Sequence, residues 1–176
     1  VTAGVQVFDG TRISAADHTG KKNTGWYVQG QFLLEPFTLS AGARREKIEY
    51  AYSPAVGSRL QADHSLDAWD IGVNSRVDDQ LSVFASYNHA FQAPDIDRFF
   101  VTDWFSGITS FNGFIKPAQV KTVNLGVNRV TAANRLKLGV FHASLENEIY
   151  FEPFTYSNTS IDKSHKYGLE LQDSHR

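Results

Sequence analysis

The sequence has no cysteine, no methionine and only five prolines, and it carries no surplus of either charge. Without cysteine there is no disulfide framework, no thiolate metal site and no cysteine nucleophile. Seventeen lysines and arginines against nineteen aspartates and glutamates leave a formal charge of −2, too balanced to draw the chain to nucleic acid. No stretch approaches the roughly 18 uninterrupted apolar residues of a transmembrane helix. A transmembrane β-strand needs only about 9–11 alternating residues, so this absence does not exclude a membrane. Catalytic signatures are missing too: no His-Glu-x-x-His, no Gly-x-Ser-x-Gly, no phosphate loop and no dinucleotide fingerprint. The six histidines are scattered without metal-ligand spacing. The reading is therefore a chain that is not an enzyme and needs no cofactor. Its 176 residues suit one domain, and a start on Val1 reads as a cut from something longer.

What the sequence does have is alternation at period two, the mark of strands with two unlike faces. Val1, Ala3, Val5 and Val7 share one face. Trp26, Val28, Gly30, Phe32 and Leu34 share another, opposed by Tyr27, Gln29 and Gln31. Phe37, Leu39, Ala41 and Ala43 continue the pattern. So do Trp69, Ile71 and Val73, then Leu81, Val83, Ala85 and Tyr87, then Val123, Leu125 and Val127, and finally Tyr167, Leu169 and Leu171. Over 135–151 the apolar phase shifts from Leu136, Leu138 and Val140 to Ala143, Leu145 and Ile149, which predicts a β-bulge near Phe141–His142. Eight strands follow, near 1–8, 24–34, 37–48, 66–77, 80–91, 119–130, 135–151 and 166–172. The fold class is all-β, an antiparallel up-and-down meander.

The connections alternate in length. Segments 9–23, 49–65, 92–118 and 152–165 read as long loops; Glu35-Pro36, Asp78-Asp79 and 131–134 read as short turns. Long loops on one rim and short turns on the other describe a transmembrane β-barrel. Aromatics make up 13% of the chain, and Trp26, Tyr27, Trp69, Tyr87, Phe91, Tyr150, Phe151 and Tyr167 fall toward the long-loop ends, as an interfacial girdle would. A soluble barrel whose core these rings cap fits the same pattern, and so does a complete small membrane barrel of eight strands serving as an adhesin or anchor.

Four segments in order carry a resemblance. Phe91-Gln92-Ala93-Pro94-Asp95-Ile96-Asp97-Arg98-Phe99-Phe100 resembles the F-R-A-P-x-I-x-E-L-F stretch of TonB-dependent outer-membrane receptors. Lys116-Pro117-Ala118-Gln119-Val120, leading to Asn124-Leu125-Gly126-Val127, resembles their K-P-E … E-L-G strand. Leu138 to Phe151, with Asn147-Glu148-Ile149, is similar to their F-Y-x-x-x-x-N-E-I strand. Asn158 to Leu171, with Ile161-Asp162-Lys163 and Gly168-Leu169-Glu170, is similar to N-I-D-K-T-x-x-x-G-x-E-L. Gln92, Ala118, His165 and Lys166 depart from the pattern.

The resemblance implies a bacterial outer-membrane location and uptake of a scarce nutrient, most often a ferric siderophore. Residues 1–176 would be part of a large transmembrane barrel, without a plug domain or a closing C-terminal strand. Partners would be a metal-chelate ligand, outer-membrane lipid and, through the plug, the TonB energy-coupling protein. Loop 92–118 is the candidate for ligand contact through Phe99, Phe100, Trp104 and Phe105, because aromatic loops on a rigid scaffold bind things. Arg44 and Arg45 are candidates for an anionic chelate through their guanidinium forks.

Overall fold

Strand alternation is realised as one curled sheet. A computed structural model, described over residues 1–14 and 16–175, contains β1 (Thr2–Ser14), β2 (Asp17–Leu34), β3 (Phe37–Ser53), β4 (Leu60–Arg76), β5 (Leu81–Gln92), β6 (Phe100–Thr102), β7 (Thr109–Phe111), β8 (Ala118–Val130), β9 (Asn134–Glu152) and β10 (Ser157–His175). Eight of these form an antiparallel meander in the order β1-β2-β3-β4-β5-β8-β9-β10, and β6 pairs with β7 in a separate hairpin. A single 3-10 turn, Ile96–Phe99, precedes that hairpin.

Register assigns the faces. Val5 pairs with Trp26, Val28 with Ala43, Ala43 with Trp69, Ile71 with Tyr87, Tyr87 with Val123, Leu125 with Val140 and Val140 with Leu169. Directly paired residues lie on the same face, so these apolar side chains form one continuous outward belt. Trp26, Val28, Phe32, Ile71, Leu125 and Val140 are each about half exposed. An apolar surface of this extent facing water would be an aggregation site; facing hydrocarbon it is at its minimum free energy.

The inward face carries Gln6, Gln29, Gln31, Asp70, Ser86, Asn88, Asn124 and Glu170 at the same level. Rings lie over glycines there. Tyr27 is paired with Gly4, Phe84 with Gly126 and Phe141 with Gly168. A Cβ on Gly126 would come within 2.5 Å of both the Phe84 ring and the Leu138 carbonyl, so no larger residue fits.

The strands run further than their alternation. Most of 9–23, 49–65 and 152–165, read from the sequence as long loops, is paired strand. Only 92–118 is a genuine long loop, occupying 93–117 between β5 and β8. The cause lies at the membrane boundary. Above it the outer face turns polar, as in Arg45, Lys47 and Glu49 on β3, while the inner face turns apolar, as in Ile48, Tyr50 and Tyr52. Backbone pairing continues through a change that erases the hydrophobic period.

The same exchange corrects the expected bulge. Pairing of β9 with β8 and with β10 keeps one register through Phe141 and His142, so no residue is inserted there. Leu136, Leu138 and Val140 face outward below the boundary; Phe141, Ala143 and Leu145 face inward above it. The backbone irregularity sits instead at Asn147, with φ of 53°. Past it Glu148 turns inward and accepts hydrogen bonds from Ser164 Oγ and Lys166 Nζ. Tyr150 and Phe151 lie eight residues or more beyond His142 on β9, about 26 Å at a strand's rise. They belong to the loop rim and not to the girdle, which Trp26, Trp69, Tyr87 and Tyr167 form.

Curvature follows from one loop. Asp97 meets Arg12 on β1 at 3.3 Å, and Arg98 donates to Asn158 on β10 at 3.0 Å. In a flat sheet of eight strands those two edges would stand about 34 Å apart. Consecutive residues can touch both only if the sheet curls around the loop. β1 and β10 remain at the two edges and do not pair with each other. The eight strands therefore do not close on themselves, which both the small membrane barrel and the soluble barrel require.

The face assignment predicts a contrast between neighbours. With the chain inserted in a bilayer, Val28→Arg puts a charge among lipid tails at a cost of roughly 2–4 kcal/mol, and assembled protein in the membrane fraction should drop severalfold. Gln29→Arg points inward and should leave that amount unchanged. Equal loss from both would contradict the assignment.

Candidate functional site

The loop-side rim is built on a buried anchor. Tyr50 is buried on the inner face of β3, and its hydroxyl donates to the Pro94 carbonyl at 2.7 Å. Lys21 of β2 is buried as well, and its ammonium donates to the same carbonyl at 2.9 Å and to Asp95 Oδ1 at 3.3 Å. A buried cation is stable only with such acceptors. Burial, then the nearby Asp95 and Glu46 carboxylates, push the Tyr50 phenol above its ordinary range, so it remains a donor. Arg12 of β1 holds the next turn: it pairs with Asp97 and lies 3.9 Å over the Phe100 ring.

Aromatic packing completes the anchor. Phe99 is fully buried, edge-on to Tyr50 at 4.9 Å and to Phe114 at 5.2 Å. Phe111 stacks on Tyr52 at 4.0 Å, and Phe100 meets Phe111 at 5.7 Å. Such pairs add about 0.5–1.5 kcal/mol each beyond area burial. The alternating strands below thus end in a small apolar core made by the loop itself.

Beyond the anchor the loop presents rings to solvent. Asp103 Oδ1 accepts from the Phe105 and Ser106 amides and from the Ser106 hydroxyl, and these bonds hold its carboxyl below the usual range. Gly107, at φ of 67°, closes the turn by donating to the Asp103 carbonyl. Trp104 and Phe105 project from this turn, 77% and 96% exposed. Trp104 stacks on Tyr156 at 6.1 Å, Tyr156 meets Phe151 edge-on, and Phe154 is almost wholly exposed beside them. Two loops, 93–117 and 153–156, therefore share one aromatic rim.

The six residues singled out in the sequence fall into three places. Phe99 and Phe100 hold the loop down. Trp104 and Phe105 form its exposed tip. Arg44 and Arg45, neighbours on β3, point to opposite faces and do not act as a pair. Arg44 turns inward, where its guanidinium binds Glu46, at 2.9 Å from Nε, and Gln6 Oε1 at 3.1 Å; Asn23 donates to the other Glu46 oxygen at 2.7 Å. Arg45 turns outward to Asp67 at 3.8 Å. The sequence reading missed Phe154 and Tyr156. The signal was present in Pro153-Phe154-Thr155-Tyr156, an aromatic-rich turn, but nothing local ties it to a loop fifty residues earlier.

Comparison with known proteins decides the family. The sequence model described as "TonB dependent receptor-like, beta-barrel" matches residues 3–176. The chain belongs to the TonB-dependent receptor β-barrel family. This family is one of outer-membrane receptors, not enzymes, and its lipid is what the exposed apolar belt meets. Among solved structures, the alcaligin outer-membrane receptor FauA from Bordetella pertussis is similar with a TM-score of 0.68 and 21% identity, over 99% of this chain and 32% of that one. The ferric-catecholate import receptor Fiu from E. coli K12 gives 0.63 and 18%, over 90% and 26%. The copper transporter OprC gives 0.74 and 16%, again over 90% and 26%. At these identities the likeness is one of fold. This receptor chain spans between a quarter and a third of the length of those structures. No curated protein matches the sequence.

Two outcomes test the anchor in the full-length receptor. Phe99→Ala empties a fully buried position, and should destabilise the loop locally by about 3–5 kcal/mol; hydrogen exchange over 93–117 should accelerate while the strand amides at the belt stay protected. A second handle is Asp17, which accepts from the Tyr52 hydroxyl at 2.6 Å and the Ala55 amide at 2.8 Å. The Tyr52 bond, then the Ala55 bond, hold the Asp17 carboxyl below its ordinary value. A depressed carboxyl adds stability above its unfolded pKa, near 3.9, and loses it as pH falls through the folded one. Ala55 amide protection should persist at pH 5 and vanish in stronger acid, and Asp17→Asn should remove that acid step.

Proposed function

We propose that the whole receptor takes up a metal chelate, a ferric siderophore in the first instance, and that this chain supplies eight strands of the wall together with a capture rim. The observation that carries the reading is the two-loop aromatic rim of Trp104, Phe105, Phe154 and Tyr156, exposed above a loop anchored inside the curl of the sheet. Flat exposed rings offer a chelate's organic face large contact area at low entropic cost, because each ring fixes only two torsions. A rigid base with a protruding tip is also how binding residues are usually presented.

Neighbours of the same fold support the substrate class without narrowing it: they include an alcaligin receptor, a ferric-catecholate import receptor and a copper transporter. Energy would reach the receptor from TonB through a plug domain, which the inward polar face of Gln6, Arg44, Asp70 and Asn124 is suited to meet. Arg44 stands below the rim on that face, and in this reading it serves the plug side or the path of the cargo more than first capture.

The test is binding of iron-loaded catecholate chelate to the full-length receptor, followed by fluorescence quenching. Replacing Trp104, Phe105 and Phe154 together by alanine should weaken binding by tenfold or more, about 1.4 kcal/mol, without altering the circular dichroism. Unchanged affinity would remove the rim from the capture step. No binding of any ferric chelate by the unaltered receptor would overturn the substrate class.

A further inference from the structure

Beyond β1, each strand of the sheet leaves the lipid belt at one outward residue. Moving toward the loops, the first outward residue beyond the apolar and Trp/Tyr positions is Thr24 on β2, Arg45 on β3, Asp67 on β4, His89 on β5, Lys121 on β8, His142 on β9 and His165 on β10. The two halves of this line differ. On β3 and β4 the charges answer one another: Arg45 Nε is 3.8 Å from Asp67, and Lys47 Nζ is 2.6 Å from Glu49. From β5 to β10 they do not. None of the six ion pairs among the described residues includes Lys121, Lys163 or any histidine.

Register places the second half in one row. His89 pairs with Lys121, Lys121 with Ser144 and Ser144 with His165. His142 lies one position below, its ring stacked on that of His165 at 5.6 Å and 13°. In the row above, Glu146 stands opposite Gln119 and Lys163. Among the described residues Glu146 forms an ion pair with neither Lys163 nor Lys121, the three imidazoles also make no ion pair, and His89 Nε2 lies 3.1 Å from Gln119 Oε1. The row continues into the girdle, because Trp69 pairs with His89 and its ring meets Tyr87 edge-on at 5.0 Å. Trp and Tyr rings mark headgroup depth.

We propose that His89, Lys121, Ser144, His142 and His165 form a binding surface for the phosphates of lipid headgroups on the loop side of the membrane. Lysine supplies a permanent positive charge. Imidazole N–H groups and the Ser144 hydroxyl supply further donors to phosphate oxygens. The row spans three strand spacings, about 14 Å, enough for more than one headgroup. A cation at the edge of hydrocarbon that holds no ion pair gains most from an anionic partner, because charge-assisted hydrogen bonds strengthen where water is scarce. The surface is continuous with the lipid belt, so an acyl chain can lie against Val123, Leu125 and Val140 while its phosphate meets the row.

Native mass spectrometry of the full-length receptor, equilibrated with micelles holding equal amounts of phosphatidic acid and phosphatidylcholine, tests this. The unaltered receptor should retain phosphatidic acid over phosphatidylcholine by about fivefold or more. K121Q/H142Q/H165Q should bring the ratio to parity, while R45Q/K47Q, on the self-neutralised side, should leave it unchanged. Lys121→Gln alone, an exposed outward change that the fold tolerates, should lower the ratio at least about twofold and serves if the triple variant fails to assemble. Excess inorganic phosphate should not displace the lipid, since the acyl chains contribute to binding. Parity in the unaltered receptor, an unchanged ratio in K121Q, an equal loss in R45Q/K47Q, or displacement by free phosphate would overturn the proposal.

Discussion

Everything in this structure depends on pairing the backbone. In hydrocarbon an unpaired N–H or C=O costs several kcal/mol, and only helices and closed sheets avoid that cost. The chain has no long apolar segment and answers with long antiparallel strands, each adjacent pair keeping one register along its length, with a single skipped position at Asn147. The outer edges of β1 and β10 carry the pairing groups still open, and within a membrane further strands must satisfy them. The inward glycines at positions 4, 126 and 168, each under a ring from the next strand, belong to the same economy: they let strands curve without opening a gap.

On that ladder two chemistries exchange faces. Below the boundary, apolar side chains point out to lipid and polar ones point in. Above it, Arg45, Lys47 and Glu49 point out to water, and Ile48, Tyr50 and Tyr52 point in to pack on the loop. The swap explains how one set of strands serves two tasks. Its lower half is a membrane wall. Its upper half is a scaffold whose inner surface holds Pro94 and Phe99 in place and thereby presents Trp104 and Phe105 next to Tyr156. The buried Lys21 sits at this junction and ties β2 to the first turn of the loop.

The lower half was legible in the sequence and the upper half much less so. Where one face meets lipid, Trp26, Val28 and Phe32 against Gln29 and Gln31 make the period plain. Above the boundary the contrast fades or reverses, so 9–23, 49–65 and 152–165 read as loops, and the phase change after Val140 read as a bulge when it is a change of solvent. The short turns and the long loop 92–118 were visible from Pro, Asp and the aromatic density. The rim was visible only in part. Trp104 and Phe105 stood out, but so did Phe99 and Phe100, and composition does not tell a ring that anchors a loop from one that faces solvent. Phe154 and Tyr156 joined the rim only once β9 and β10 were paired. Arg44 and Arg45 looked like a pair because they are adjacent, and the period of two separates them.

The central claim is that one continuous strand passes from lipid to water while its faces exchange roles. Spin labels placed singly along β3 of the full-length receptor, at positions 39 to 51, test it most directly when relaxed by oxygen, which partitions into lipid, and by a water-soluble nickel chelate. The account predicts oxygen access at 39, 41 and 43, nickel access at 45, 47 and 49, and low access to both at 48 and 50. Oxygen access at odd positions through 49, or nickel access at 48 and 50, would contradict it.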